Sequence, residues 1–306
     1  MTWLSSCVMT IAEEFMWSNK TTMIKNVLPS FIGIFTFFAL HATAKELPDP
    51  HALMVNSLAA GEKNEQLLRA YVSRTRSLLK RFEQDGGLKT EEVKTFDDFL
   101  VDGFHVRKLI AKNDKPLDDA DRQKEDSRVS KLVASRKHET PAQRDRRLAD
   151  AKEKQEKGRR FSHELLDAFD FQMVGEDTFN GRKAWVLDAV PHPLYKPKEL
   201  KAEIFLHLKG RIWIDQEDLM WMKAEASAIE PFALGFSVLA KLDKGARLFF
   251  EQTRLVDGTW VTTRSGLKAN ARLAMLAHIA LENLSTSENF RKVAPETRLR
   301  DSKDDF

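Results

Sequence analysis

The sequence has few of the features that assign a chemistry directly, beginning with cysteine. Cys7 is the only cysteine among 306 residues, so a disulfide framework and a metal site made of several cysteines are both excluded. The 49 basic and 46 acidic residues leave a net charge of +3, which gives no overall bias toward nucleic acid or acidic partners. The basic residues of 136–160 are interspersed with acids and have no aromatic residues among them for base stacking. No nucleic-acid partner is therefore expected.

Motifs of well-known catalytic sites are also missing. The chain has no G-x-S-x-G elbow, no phosphate-binding loop and no G-x-G-x-x-G. Residues 163–167 read HELLD, which begins like a zinc-protease helix but has aspartate where the second histidine ligand is needed. The eight histidines are scattered singly, and adjacent acids such as Asp97 and Asp98 point to opposite faces of a strand. We expect no enzyme activity, no cofactor and no metal; a hydrolase with an unrecognised site is a minor alternative.

The N-terminal region contains an apolar run that is too short for a membrane span. Val27–Leu40 is uncharged and mostly apolar over about 14 residues, whereas a spanning helix needs roughly 20. Lys25 precedes the run and Ala42-Thr43-Ala44 follows it as an A-x-A site, which is the order found in a secretory signal peptide. We predict that residues 23–44 are a cleaved signal peptide for export to the periplasm. The alternative is an uncleaved anchor in the inner membrane.

Further boundaries follow from this prediction. Export signals normally lie near the initiating methionine, so residues 1–22 are interpreted as an upstream extension and Met23 as the start. Cleavage makes Lys45 the first residue of a mature chain without cysteine, as suits an exported protein that does not depend on disulfides. We predict a single domain over 45–294 and a frayed polar tail over 295–306.

Residues 118–160 form a highly charged stretch. It contains 24 charged residues, 14 basic and 10 acidic, and few apolar ones. Pro141 divides it, so we predict two long charged helices that form a hairpin inserted in the domain. Such a stretch is usually a solvated surface. The alternative is a lid or a docking site for a partner protein of the cell envelope.

Most of the remaining chain has the pattern of β-strands separated by tight turns. Residues 52–69 are predicted to form one or two helices, and 91–101 and 104–111 to form strands. After residue 169 the turn signals include Phe179-Asn180-Gly181 and Asp257-Gly258. The strands predicted there are 171–177, 184–190, 201–208, 211–215, 220–226, 236–242, 247–256 and 260–273.

The spacing of these turns indicates the fold class. Turns about 10–15 residues apart without helical crossovers favour an antiparallel meander. A sheet of roughly eight or more such strands must curl, because strand twist accumulates. We predict a mainly β (α+β) fold, which is a strongly curved antiparallel open β-barrel with helices at its concave side and the charged helical hairpin as an insertion.

Three segments share an aromatic pattern: GRKAWVLDAVP (181–191), GRIWIDQEDLMWMKAEA (210–226) and LFFEQTRLVDGTWV (248–261). A glycine turn leads to a W-I-D strand, and D-x-x-W-x-K, E-Q-T-R and D-G-x-W follow. The pattern resembles the β-hairpins of the periplasmic lipoprotein-carrier superfamily, LolA/LolB-like. It is most similar to uncharacterised exported bacterial proteins described as outer-membrane lipoprotein-sorting-like. The resemblance covers residues 165–292 and, more faintly, 70–117.

The resemblance implies a half-open antiparallel barrel whose apolar concave face, capped by helices, accepts acyl chains. The chain departs from true carriers in its insertion at 118–160, and the arginine that couples the lid to the barrel in those carriers has no assigned counterpart. A buried CH₂ contributes about 0.8 kcal/mol, so a 14-carbon chain carries about 11 kcal/mol of transfer free energy and needs an apolar cover in water. The predicted ligand-binding residues are Trp185, Leu187, Trp213, Trp221, Phe232, Phe236, Val238, Phe249 and Phe250.

We therefore expect a periplasmic protein that binds and transfers lipid or lipoprotein acyl chains. Each predicted aromatic residue also fits plain core packing. Ile212 and Ile214 oppose Trp213 on the same strand, so the sequence does not identify the concave face. The alternative is a non-catalytic scaffold or accessory envelope protein, whose barrel core is filled by its own side chains and whose charged hairpin docks a partner.

Overall fold

A computed structural model describes residues 47–101, 104–233, 240–273 and 277–293. Its helices are α1 (Pro50–Leu68), α2 (Asp119–Lys137), α3 (Pro141–His163) and α4 (Leu165–Ala168), with a 3₁₀ helix over Leu200–His207. Its strands are β1 (Tyr71–Phe82), β2 (Leu88–Val101), β3 (Phe104–Lys112), β4 (Lys115–Pro116), β5 (Phe169–Phe179), β6 (Arg182–Pro191), β7 (Leu208–Asp215), β8 (Trp221–Ala228), β9 (Phe232–Ala233), β10 (Ala240–Leu242), β11 (Arg247–Arg254), β12 (Trp260–Leu273) and β13 (Ala277–Lys292). The predicted extension 1–22, signal peptide 23–44 and tail 295–306 lie outside the described residues.

The strands form one antiparallel sheet that stays open. Eleven of them follow the order β4-β3-β2-β1-β13-β12-β11-β8-β7-β6-β5, while β10 pairs with β12 and β9 with β10. The first and last long strands, β1 and β13, pair in the middle of the sheet. β4 and β5 are the two edges and do not pair with each other. This confirms the predicted class, a curved, open antiparallel half-barrel with helices.

The turn between β5 and β6 shows how the sequence sets the strand register. Phe179 lies opposite Arg182, so only Asn180 and Gly181 form the loop, with φ of 49° and 77°. Positive φ at both central residues defines a type I′ turn, whose twist matches that of the flanking strands. Asparagine tolerates the left-handed conformation and glycine adopts it freely. The hairpin predicted at this position is confirmed.

The charged stretch forms the predicted helical hairpin of α2 and α3. The Asp118 carboxylate accepts a hydrogen bond from the Asp121 N–H at 2.8 Å and begins α2. Thr140 and Gln143 form a capping box at the start of α3, and Pro141 occupies the first turn, where its missing N–H has no cost. Of residues 118–160, only Val129 and Gly158 are buried, so the hairpin is mostly solvated.

α1 is a single helix with one buried face. Its buried residues recur every three or four positions and are Leu53, Met54, Ser57, Leu58, Gly61 and Asn64. This spacing places them along one stripe that faces the sheet. Gly61 does not interrupt the helix. Of the two predicted possibilities, one helix or two short ones, the structure therefore has one helix.

The two faces of the sheet carry separate hydrophobic clusters, because successive residues of a strand point to opposite sides. We call the side covered by α1 and the 3₁₀ helix the inner face. Its cluster joins sheet residues such as Trp185, Leu187 and Ile212 to Leu53 and Phe161 of the helices. The second cluster is smaller and consists of Ala184, Val186, Trp213, Met220, Met222 and Trp260.

The prediction of a strand at 201–208 is wrong, because most of this segment forms the 3₁₀ helix Leu200–His207. Ile204 and Phe205 are adjacent, yet both are buried in the inner cluster. A strand would point them to opposite faces, whereas a helical turn allows both to pack on the same side. Strand β13 had no counterpart among the predicted strands.

Candidate functional site

An apolar cavity of about 90 Å³ lies between the inner face and the helices. Strands β5–β8 and β11 form one wall, and α1, α3, α4 and the 3₁₀ helix form the other. The side chains that define it most clearly are Met54, Phe161, Leu165, Ile204, Phe205, Ile212, Trp221 and Leu248. These side chains are all apolar except for the indole N–H of Trp221. The cavity is therefore suited to hydrocarbon.

The size of the cavity limits what it holds in this arrangement. An apolar cavity of about 150 Å³ is sufficient for one benzene molecule. The observed volume of about 90 Å³ is therefore enough for only a short piece of hydrocarbon. A longer chain exceeds this volume.

Aromatic rings surround the cavity on two sides. On the helical side, the ring centre of Phe205 lies 4.7 Å from that of Phe161 and 5.7 Å from that of Phe169, the latter edge to face. On the sheet side, Trp221 stacks on Phe250 at 6.0 Å. Offset and edge contacts of this kind stabilise packing beyond area burial alone. They give the cavity rigid walls where the helices meet the strands.

Polar side chains of α1 attach the helix to the sheet. The Trp221 indole N–H donates to the Ser57 hydroxyl at 2.9 Å. The Asn64 side chain donates to the Trp260 carbonyl and accepts from the Trp260 N–H, both at 2.8 Å. Ser57 and Asn64 are buried, and these bonds satisfy them. The position of α1 over the cavity is therefore fixed by a few specific bonds as well as by apolar contact.

Five of the predicted ligand-binding residues lie in the inner cluster. They are Trp185, Leu187, Trp221, Phe232 and Phe250. Trp221 lines the cavity directly, and Phe250 stacks behind it. The structure thus brings these residues together on the helix-covered side, and their role in ligand binding stays a prediction.

Trp213 and Phe249 lie on the opposite face. Trp213 is opposite Lys223 in the sheet, whose ammonium lies 4.5 Å from the ring centre, and its indole N–H donates to Asp177 at 2.9 Å. Phe249 packs on Gly266, where an added Cβ would lie 2.5 Å from the ring. Strand alternation keeps both side chains away from the cavity. Phe236 and Val238 lie outside the described residues.

The helical wall of the cavity was missed in the sequence. Met54, Phe161, Leu165, Ile204 and Phe205 line the cavity but belong to no predicted strand of the aromatic pattern. The buried stripe of α1 was a usable signal for Met54. Phe161 was another usable signal, since it directly follows the charged stretch. An aromatic residue at the end of a polar helix is suited to anchor that helix to the domain.

Asp215, the aspartate of the W-I-D strand, has a structural role. It is 1% exposed and accepts two hydrogen bonds from Arg182, at 2.6 and 2.8 Å. The N–H groups of Glu217 and Asp218 also donate to it. Burial alone raises the pKa of Asp215, but the bonds from Arg182 and Asp218 outweigh it and lower the pKa below its usual value. The carboxylate stays ionised and holds the β7–β8 turn.

Asp218 connects this turn to the neighbouring hairpin. Its Oδ2 accepts from the Arg254 guanidinium at 2.6 Å and from the Trp260 indole N–H at 2.9 Å. Arg182 lies over the Trp260 ring, 5.6 Å from its centre. The residues of the W-I-D, E-Q-T-R and D-G-x-W elements therefore join one end of β7 and β8 to β11 and β12. Their pattern is a property of the sheet and not of the cavity.

Two further observations concern the described part of the chain. No group of three or more histidine, cysteine, aspartate or glutamate side chains within it is arranged to hold a metal ion. No helix within it combines the length and the apolar character needed to cross a bilayer.

Comparison with known proteins gives structural similarities only. No protein-family model matches, and no curated protein is similar in sequence. A domain described as an outer membrane lipoprotein-sorting protein from Vibrio parahaemolyticus matches 81% of this chain and 98% of its own, with 12% identity and a TM-score of 0.32. A LolA superfamily protein from Nitrosomonas europaea matches 84% and 100%, with 8% identity and a TM-score of 0.29. The MucA/MucB complex from Pseudomonas aeruginosa matches 81% and 100%, with 10% identity and a TM-score of 0.23. At these TM-scores the matches carry no functional argument.

Proposed function

We propose that this protein binds the acyl chain of a lipid or lipoprotein between the inner face and its helices, and transfers it through the periplasm. The single observation that carries the proposal is the apolar cavity lined by Met54, Phe205 and Trp221. An open half-barrel with such a cavity offers the apolar cover that hydrocarbon needs in water. The periplasmic location rests on the predicted signal peptide, and N-terminal sequencing of exported protein is expected to begin at Lys45.

The free energy of acyl burial explains how so small a cavity accepts a chain. Each CH₂ that leaves water contributes about 0.8 kcal/mol, or about 11 kcal/mol for 14 carbons. Moving α1 from the sheet exposes Met54 and Leu58, which are buried in the closed arrangement. A long chain covers the surface that the helix leaves and offsets this cost, whereas a short chain does not. The proposal therefore implies a preference for long chains.

The proposal is tested by filling the cavity from one strand of the sheet. Ala226 of β8 lines the cavity and packs against the inner cluster, and the adjacent Ser227 points to the opposite face of the strand. Both are partly exposed, so leucine at either position adds the same bulk to opposite faces. We expect Ala226→Leu to weaken binding of a fluorescent long-chain fatty acid by about tenfold, since the added carbons take the place of ligand methylenes. Ser227→Leu is expected to bind like the parent.

Circular dichroism and urea unfolding verify that both variants are folded before affinities are compared. Equal affinities for the two variants would place the ligand elsewhere than in the cavity. A parent protein that binds no amphiphile at all would reject acyl binding altogether.

A second candidate function is supported by the small size of the cavity and by the exposure of the hairpin. In that case the protein is a non-catalytic scaffold. The residues of the inner face only pack the core, and the solvated α2–α3 hairpin binds a partner protein of the envelope. The fatty-acid experiment separates the two. Absence of amphiphile binding, together with capture of a defined envelope protein that is lost when 118–160 is deleted, would favour the scaffold.

A further inference from the structure

The two edges of the sheet differ in how they are covered. On one side, β4 pairs with Ala111 and Lys112 of β3, and its Pro116 has no N–H to offer. Further along β3, the Glu125 carboxylate accepts from the Leu109 N–H at 2.8 Å. The Arg128 guanidinium donates to the Arg107 carbonyl. Side chains of α2 therefore cover the outward backbone groups of this edge.

The opposite edge, β5, has no such cover among the described residues. β5 pairs with β6 alone. Within the described ranges, the Phe169 N–H donates to the Leu165 carbonyl of α4, and no other helix or loop backbone bonds to the outward backbone of 169–173. A β-bulge at Val174, where Gly175 has a φ of 146°, ends this regular stretch. An uncovered edge offers N–H and C=O groups to which an extended segment adds as a new strand.

A groove runs beside this edge and supplies an apolar contact surface. It has a volume of about 540 Å³. Phe169 and Phe171 of β5 form its apolar part together with Leu166, Leu194 and Tyr195, and its polar part consists of His51, Asp167, Asp170, His192 and Lys196. Leu194 is 81% exposed, an unusual position for a leucine next to aromatic rings. Alternate side chains of an added strand would point into this groove.

Charge identifies the kind of segment that fits. β5 contains Asp170, Glu176 and Asp177 and no lysine or arginine, although the chain as a whole has a net charge of +3. A second copy of β5 would place carboxylates opposite carboxylates, which is unfavourable across paired strands. Basic side chains at the same positions are favourable, and one placed beside Asp170 would share its carboxylate with His192, whose Nδ1 lies 2.8 Å from Oδ1.

We propose that residues 169–173 of β5 and the adjacent groove bind an extended segment of a partner protein that alternates basic and apolar residues. The basic side chains lie near Asp170, and the apolar ones contact Leu194 and Phe171. The groove shares Phe169 and Phe171 with the wall of the acyl cavity, and the two kinds of binding are tested by different ligands.

The test uses a fluorescein-labelled peptide in which lysine and valine alternate, measured by fluorescence anisotropy with the full mature protein. The control peptide has the same sequence with every second amide N-methylated on the edge that would pair with β5. It keeps the charge and the side chains but cannot form the strand hydrogen bonds. We expect the first peptide to bind and the second to show no measurable binding.

Matched surface variants locate the site. Leu194→Ser removes the exposed groove leucine and is expected to weaken binding by about tenfold. Val256→Ser is its control, because Val256 is also highly exposed but lies in another turn. Asp170→Lys is expected to weaken binding by about fivefold. Its control is Asp150→Lys on the exposed surface of α3, which changes the net charge equally.

Several results would overturn the proposal. Equal binding of the N-methylated peptide would mean simple charge attraction, and so would equal effects of Asp170→Lys and Asp150→Lys. Absence of peptide binding contradicts the site directly. Self-association that is lost in Asp170→Lys would show a second copy at the edge. Peptide binding only after removal of 294–306 would show that the chain's own terminus occupies it.

Discussion

The tryptophans of the recurring pattern have different roles at the level of single residues. Trp221 lines the cavity and bonds to Ser57 of α1. Trp213 belongs to the second cluster, under the Lys223 ammonium. Trp260 bonds to Asp218 at the end of the sheet. The same residue type therefore occurs in the cavity wall, on the opposite face and at a turn, and only the first position bears on the proposed function.

The buried Asp215 carboxylate gives a prediction for stability and pH. Its pKa is lowered in the folded state, so the unfolded chain takes up the proton first as the pH falls. The stabilisation it provides is complete above the unfolded pKa of about 4 and is lost as the pH falls through the folded pKa. At neutral pH we expect Asp215→Asn to lower the free energy of unfolding by about 3 kcal/mol, since Arg182 loses its buried charged partner and keeps only the more exposed Glu217 and Asp218. Below pH 4 the difference from the parent shrinks, as measured by urea unfolding at several pH values.

The control for this prediction is Asp188→Asn. Asp188 pairs with Arg211 by two similar hydrogen bonds, but both side chains are well exposed. Exposed pairs contribute about 0–1 kcal/mol, so this variant is expected to remain close to the parent. Equal losses in the two variants would contradict the role of burial at Asp215.

At the level of elements, the α2–α3 hairpin is attached to the domain mainly at its base. Glu125 and Arg128 of α2 bond to the edge of β3. Gln155 of α3 accepts from Arg69 at the end of α1 at 2.8 Å. The tip between these contacts is solvated. The hairpin therefore covers one edge of the sheet, a function that does not require a partner.

Two deletions test this role. Replacing 118–160 by a short Gly/Ser bridge is expected to leave cooperative urea unfolding intact, because Val129 and Gly158 are its only buried residues. The exposed β3 edge is then expected to self-associate, as seen by sedimentation velocity. Deleting only 131–148 keeps Glu125 and Arg128 and is expected to give a monomer. Loss of folding in the larger deletion, or association of both, would contradict the edge-covering role.

The success of sequence reasoning also depends on the element. Turns such as Asn180-Gly181 were predictable because positive φ demands particular residues. The run 201–208 was not, since a short apolar run fits a strand or a buried helical turn until tertiary packing selects one. The cavity-facing side of β7 could not be chosen because Ile212, Trp213 and Ile214 are all buried, on two faces.

For the whole molecule, the sequence predicted an open curved sheet but not its strand order. β1 pairs with β13 through contacts such as Leu78 opposite Leu284, and no local pattern encodes a pairing across so long a separation. The same holds for the cavity, whose walls come from α1, the 3₁₀ helix and β8. Its volume depends on how closely these distant segments pack, which periodicity does not reveal.

The small cavity leads to a prediction about the whole molecule, namely that acyl uptake requires α1 to move. Ser57→Ala leaves the Trp221 indole N–H without its acceptor in the closed arrangement, at a cost of about 1–3 kcal/mol. If the fatty acid enters only when α1 has moved away from the sheet, the apparent affinity of the protein for the fatty acid rises with the fraction of molecules in this open arrangement. We therefore expect Ser57→Ala to be less stable in urea and yet to take up a long-chain fluorescent fatty acid faster, measured by stopped flow.

The control for this last prediction is Thr75→Val, which loses one hydrogen bond between β1 and β13, the bond between the Thr75 and Ser287 hydroxyls at 3.0 Å. That bond does not involve α1, so this variant is expected to lose stability without faster uptake. Faster uptake in both variants would indicate general loosening of the domain, and slower uptake in Ser57→Ala would show that a closed helix is needed for binding. Ser57→Ala removes a bond between α1 and the inner face, whereas Thr75→Val does not. Faster uptake in Ser57→Ala alone would therefore identify α1 as the element that opens.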